Sequence, residues 1–349
     1  DTATDTATDT DTDTDTDTAT DTDTVTGPVL DPLDQKPLNQ LKAAWSGLAS
    51  APLWPGYPLA TAPMVLIHRA GAASHALMLH WPEPPADALK VKAADLGLDL
   101  WWTQSHLAAL LPAQVADGGV TIGGQLAVVA AFDATAFKPP WEWLGVVARE
   151  AFVRMQQLDQ GWKAVEGCGL AKYPRKHDLI ALTLLEDALL GEILAADDAA
   201  LTGLARDLVA VRASRIAIDP YTMRIDNDAE NVNGAPRFAE LMVPVRAGLR
   251  DPSAVQELLA EELTQSMSLE MIDLDDHLMW IRPLTSAVIA LQLAQRLKWQ
   301  VADTFTMGKS VYEVAVKELG EGDPTRLDAI KKRHNFTAME KRAGELMKL

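Results

Sequence analysis

Cysteine is almost absent from this chain of 349 residues. Cys168 stands alone, which rules out an internal disulfide and leaves the redox compartment open. Long apolar runs are missing too: although 48% of the residues are hydrophobic, no stretch reaches the about 18 consecutive apolar residues that a membrane-spanning helix needs. No transmembrane span is therefore expected. Positive charge is scarce, with 31 Lys and Arg against 49 Asp and Glu and a net charge of −18. Nucleic-acid recognition depends on clustered Lys and Arg, so nucleic acid is not expected as a partner. The chain has no G-x-S-x-G elbow, and Cys168 lies in no catalytic context. Gly118-Gly119 and Gly123-Gly124 lack the order of a phosphate-binding loop and read as hairpin turns. Among the seven histidines no two stand at i and i+4 on a convincing helix. His75 and His80 lie on a strand and at its end, five residues apart and hence on opposite faces, which argues against a metal pair there. No metal or other cofactor is expected.

Nine of the negative charges lie in the first 24 residues, where Thr occupies every even position from Thr2 to Thr24 and Asp or Ala stands between. With no large apolar group to offset ordering entropy, residues 1–27 read as a disordered, extended tether. A weak calcium site on the carboxylates or an O-glycosylated stalk on the hydroxyls would be a sharper reading, but neither has the fixed geometry of a specific motif. Asp1 is not a start methionine. The expectation is a processed product whose signal or lipid anchor precedes Asp1, exported to the periplasm or cell surface and tethered to an envelope or larger assembly.

Residues 28–140 predict a sheet-containing lobe. Gln35–Leu48 has helical character, Trp54-Pro55-Gly56-Tyr57-Pro58 reads as a turn, and strand-like runs follow at 64–68, 75–79, 98–102, 119–122 and 125–132. They predict a mixed or antiparallel sheet of about four to six strands. Pro139-Pro140 closes the region, and from Trp141 the period becomes helical: 141–160, 177–196, 199–217, 237–246, 255–273, 278–299 and 310–319, with Pro324 opening a terminal basic helix. The expected class is α+β, a small sheet lobe followed by a mainly helical lobe over 141–349.

Within the first of those helices, Val146–Gln157 reads as a zinc-peptidase helix without its metal ligands. An H-E-x-x-H helix puts two imidazoles at i and i+4 on one face with a general-base Glu beside the first. Here those positions hold Arg149, Glu150 and Val153. The base survives, while a guanidinium offers no lone pair to a cation. Taken alone, the same stretch also reads as an ordinary core-facing helix, with Val146, Val147, Phe152, Val153 and Met155 packed inward and Arg149, Glu150 and Arg154 solvated or ion-paired.

The order of Trp54-Pro55-Gly56-Tyr57, the strand pair before Pro139, the Arg149–Val153 helix with Gln156, and the helix containing Leu185-Glu186-Asp187-Ala188-Leu189 resembles a bacterial family of exported gluzincin-like metallopeptidases. In that family the first zinc helix reads H-E-[SA]-F-H-x-x-Q, and a downstream N-E-G-L-A-E-Y segment supplies the third ligand as Glu. Val232–Phe238 is similar to that segment, with the ligand Glu falling on Asn233. The resemblance runs from Trp54 to Leu319 and includes a closing helix around Pro283–Leu297. It implies that the helical lobe over 141–349 is zincin-like, a peptidase scaffold in which Arg149, Val153 and Asn233 replace three ligands, leaving neither a zinc site nor catalytic residues. Arg149, Glu150 and Asn233 are then expected to fill the emptied cavity with a charge-assisted hydrogen-bond network.

Three functions follow as expectations. The first is a catalytically inactive metallopeptidase-like protein serving as an exported structural or interaction subunit with a protein partner. The second is a hydrolase with a relocated active site using Glu150, and the third a binding module without peptidase ancestry. Ten Trp residues, among them Trp101-Trp102, Trp141 and Trp143, supply contact surface wherever they are exposed. The acidic cluster Asp273, Asp275, Asp276 and His277 reads as a solvated loop rather than a calcium site, and Met267, Met271 and Met279 with Trp280 as core packing.

Overall fold

A computed structural model describes residues 30–68, 74–93, 97–104, 120–122, 125–132, 141–156, 161–162, 173–268 and 274–348. The tether, the glycine pairs, Pro139-Pro140, Cys168, Met271 and Asp273 lie outside these residues, as does the side chain of Met267.

The first helix, α1 (Pro32–Ser50), starts earlier than Gln35 because Asp31 caps it: its side chain accepts from the Leu33 N–H at 2.8 Å, and Pro32 stands in the first turn. Its inward face is Asp34, Leu38 and Leu41, at helical spacing. Six strands follow, β1 (Met64–His68), β2 (His75–Leu79), β3 (Leu89–Ala93), β4 (Leu98–Thr103), β5 (Val120–Ile122) and β6 (Gln125–Phe132), hydrogen-bonded in the order β3-β4-β2-β1-β6-β5. The sheet is mixed, since β1 pairs with β6 in parallel while its other pairings are antiparallel. β3 was not among the expected strands. Its sequence, LKVKA, carries two lysines where a strand signal needs apolar or β-branched residues, as suits the edge position it takes. β1 is buried throughout, with Met64 and Leu66 facing one core and Val65 and Ile67 another.

The helical part comprises α2 (Glu142–Arg154), α3 (His177–Ala195), α4 (Asp198–Ile218), α5 (Tyr221–Asp228), a π-helical segment Ala229–Gly234, α6 (Ala235–Arg246), α7 (Pro252–Ser268), a single turn α8 (Leu274–Asp276), a second π segment His277–Ile281, α9 (Arg282–Arg296), α10 (Ala302–Thr306), α11 (Val311–Leu319), α12 (Pro324–Arg333) and α13 (Phe336–Leu346). The α+β class with a sheet and a helical part is thus what the chain adopts. The expected helix over 278–299 is a π turn followed by a regular helix, and 221–234, unassigned from periodicity, is helical as well.

A continuous apolar core joins the inward faces of α1, the sheet, α2, α6 and α9. The Trp54-Pro55-Gly56-Tyr57 turn is built into it. Gly56 takes φ 72°, which favours glycine. Trp54 then packs against Phe152 of α2 and Phe305 of α10 at ring-centroid separations of 5.3 and 5.4 Å, and the Tyr57 hydroxyl donates to the Ala148 carbonyl at 2.8 Å. Gly47 marks where α1 meets the end of α6: a β-carbon there would stand 2.0 Å from the Arg246 carbonyl oxygen. Gly47→Ala is therefore expected to lower stability by about 1–3 kcal/mol, read as a lower urea midpoint. An unchanged midpoint would mean that the two helices do not approach this closely in solution.

Candidate functional site

The residues of α2 divide cleanly between core and surface. Trp143, Leu144, Val147, Ala148, Ala151 and Phe152 are buried, while Glu142, Val146 and Arg149 are exposed and Glu150 and Val153 half-buried. Val146, with two-fifths of its surface exposed, and Val153 thus share the outward face with Arg149 instead of lying in the core. The two positions of the degenerate zinc pair, Arg149 and Val153, lie one turn apart on that face.

Arg149 borders a cleft of about 370 Å³, and Asn233 borders the same cleft from the end of the first π segment. The remaining described walls come from α6 and α7 (Arg237, Glu240, Glu262) and from the second π segment and α9 (Trp280, Ile281, Leu284, Thr285), with Ala229 completing them. Trp280 is 56% exposed, so this tryptophan offers contact surface rather than the expected core packing. Met279, its neighbour, is buried.

The expected network around Arg149 does not form. Among the described residues Arg149 makes no hydrogen bond or ion pair to Glu150 or Asn233, because its position on the exposed face lets water solvate the guanidinium. Glu150 and Val153 are not among the described residues that line the cleft. The carboxylates that do line it are already engaged: Arg237 donates to Glu240 at 2.7 Å and to Glu262 at 3.4 Å, and the Thr285 hydroxyl donates to Glu262 at 2.6 Å. Two guanidiniums and two carboxylates balance in formal charge, and no described lining residue is a histidine or cysteine. A cleft so lined can hold polar and aromatic groups of a ligand, but it offers a transition metal no imidazole or thiolate.

Gly234, beside Asn233, allows this wall to pack on α9. A β-carbon at Gly234 would stand 2.2 Å from the Ala287 β-carbon. Gly234→Ala is expected to displace the π segment from α9 and cost about 1–3 kcal/mol. Thermal unfolding of the variant checks this, and a midpoint equal to wild type would refute it.

A buried ionic network gathers where α3, α4, α5, the first π segment and the start of α9 meet. Glu186 accepts from Arg212 at 2.9 Å and is in contact with Arg215 and Arg282, while Arg212 also pairs with Glu230 at 2.6 Å. Arg215 donates to Asp226 at 2.9 Å and to the Tyr173 hydroxyl at 3.1 Å, and Arg282 donates to Asp187 at 2.7 Å. Burial raises Glu186, but Arg215, Arg282 and Arg212 outweigh it and hold the carboxyl well below the usual range. For Asp187 and Glu230 burial prevails and both are raised. Next to this network His277 is 1% exposed, and among the described residues neither ring nitrogen finds a hydrogen-bond partner. Burial, with Arg282 adding to it, pushes the imidazole down to about 4. His277 is thus a core residue rather than part of a solvated acidic loop, while Asp275 pairs with Arg175 at 3.0 Å.

A further constellation escaped the sequence reading. His68 ends β1 and His75 begins β2, and the antiparallel register pairs them directly. Asp34 of α1 lies between them, its two oxygens 2.7 Å from His68 Nδ1 and 2.8 Å from His75 Nε2, and all three residues are buried. Comparing His75 with His80 along one strand could not reveal this pairing. The available signal was that 68 and 75 are mirror positions about a hairpin.

No protein-family model, curated protein or solved structure matches this chain.

Proposed function

We propose that this chain is a catalytically inactive, metallopeptidase-like protein that acts outside the cytoplasm as an interaction or structural subunit, using the α2 cleft to hold a segment of a protein partner. The observation that carries the reading is that Arg149 and Asn233, distant in sequence and matched to two ligand positions of the gluzincin-like pattern, border one cleft. Val153 follows Arg149 by one helical turn on the same face. The described lining lacks imidazoles and its carboxylates are tied to Arg237 and Thr285, so peptide-bond hydrolysis on a zinc-bound water has no ligand set to work from. The exposed indole of Trp280 and the exposed guanidinium of Arg149 are groups that anchor protein interfaces.

Restoring the ligands tests this reading. The pair Arg149→His and Val153→His should by itself create only the weak metal affinity of any i, i+4 histidine pair. Adding Asn233→Glu should tighten zinc binding at least about 10-fold, because positions 149 and 233 border one cleft and the third ligand then joins the pair. No gain from the third substitution, measured with Asp34→Asn also present so that the cleft alone is read, would deny the peptidase ancestry and leave a binding groove of other origin. The wild-type chain should cleave no peptide, whereas chelator-sensitive cleavage lost in Glu150→Gln would overturn the proposal outright.

A further inference from the structure

We propose that Asp34, His68 and His75 form a binding site for one divalent transition-metal ion of the zinc class, in the core beneath α1 and sharing no residue with the α2 cleft. Three rigid elements supply the three groups. α1 turns Asp34 inward on the same face as Leu38 and Leu41, and the β1–β2 register places both imidazoles on the sheet face that α1 covers. Two imidazole nitrogens and a carboxylate oxygen are the donors a borderline divalent ion takes, and three protein donors leave a fourth position for water.

The geometry is close to what such an ion needs. The ligating atoms all lie within 4.8 Å of one another, and the nitrogens stand 2.7 and 2.8 Å from the Asp34 oxygens. Metal–ligand distances of about 2.0–2.2 Å in a tetrahedral shell put neighbouring donors roughly 3.3 Å apart, so each ring has to withdraw about 0.5 Å from the carboxylate oxygen it touches, while the most distant donors, no more than 4.8 Å apart, close toward the same spacing. Charge favours the ion as well. Asp34 is 2% exposed and His68 2%, within an apolar surround that includes Leu38, Leu66 and Leu77. Two N–H groups on neutral rings would satisfy the carboxylate's lone pairs but would leave its charge in the core, whereas a divalent cation neutralises it. The competing arrangement is a hydrogen-bonded clamp of the three side chains without an ion.

Cobalt(II) distinguishes the two. After chelator dialysis the full chain should bind Co(II) at one equivalent with visible d–d absorption, and zinc should displace it. Asp34→Asn and His75→Gln should each weaken that binding about 10-fold or more, while His177→Gln, on the surface, should leave it unchanged. If the variants fail to fold, X-ray absorption at the zinc edge of the wild-type chain decides. A shell with two imidazoles supports the site. A shell of oxygens alone, as the Asp-rich first 24 residues would provide, overturns it. No Co(II) band together with a thermal midpoint indifferent to chelator and zinc would also overturn it and leave the clamp. Because an ion here would also take up zinc, the ligand-restoration titration is read in the Asp34→Asn background, where a gain in zinc affinity can come only from the cleft and leaves the two proposals separately testable.

Discussion

Arg215→Ala is expected to be the most damaging single substitution in the helical part, lowering stability by about 3–5 kcal/mol, because it strands buried carboxylates without their partner. The Arg215 side chain is 1% exposed and joins three elements, contacting Glu186 on α3, Asp226 on α5 and the Tyr173 hydroxyl. Arg215→Lys keeps the charge but loses the planar fork that reaches two carboxylates at once, so it should recover only part of the loss. Arg215→Met combined with Asp226→Leu should be markedly less harmful than the sum of the two single changes, since the double variant removes a buried charge together with its partner. Urea midpoints of the four proteins form the cycle. A loss below about 1 kcal/mol for Arg215→Ala would show that the network is solvated in solution and does not hold these helices together.

The second large effect is a pH dependence rooted in His277. Its imidazole titrates at about 4 in the folded chain against an ordinary 6.5. Below pH 6.5 the unfolded chain therefore binds a proton that the folded chain refuses. Stability must fall as pH drops from about 6.5 to about 4, and it is unaffected by this group above that window. The full drop is about 3 kcal/mol at about 1.4 kcal/mol per pKa unit. Asp187 and Glu230, whose carboxyls are raised by burial, act in the opposite sense: the folded chain keeps their protons longer, so their contribution favours the fold at the lower pH. The measurement that isolates His277 is the difference between wild type and His277→Leu. The variant should match or exceed wild type near neutrality, since both ring nitrogens are buried without a partner among the described residues. It should be the more stable protein at pH 5 and below. Identical acid midpoints for the two would refute this account.

Regular elements were readable wherever one side-chain pattern decided them. β1, β2 and β6 appear at the predicted limits, and α3 starts at His177 and stops one residue short of the predicted end. Patterns failed where polarity and structure part company. The lysine-bearing edge strand β3 has no apolar alternation, and the segment from Tyr221 to Gly234 is helical although it buries Asp226, Glu230 and Asn231. Those polar residues are stable inside because partners from other helices satisfy them, as when the Asn231 amide donates to the Phe305 carbonyl at 2.7 Å. A local reading carries no information about such partners.

The candidate sites divide along the same line. That Arg149 and Val153 cannot ligate a metal follows from their side chains alone, because a guanidinium and an isopropyl group have no lone pair to give. That Arg149 and Asn233 share a cleft, that Arg149 stays exposed instead of entering a network with Glu150, and that the buried ion pairs gather around Arg215 were decided by how α2, α4, α6 and α9 pack. The encounter of Asp34 with His68 and His75 depended likewise on strand register and on the placement of α1 over the sheet. Composition and periodicity fix which face of an element turns inward, since they act between near neighbours. Which inward faces meet is set by the burial of the whole apolar surface, and that is a property of the assembled chain.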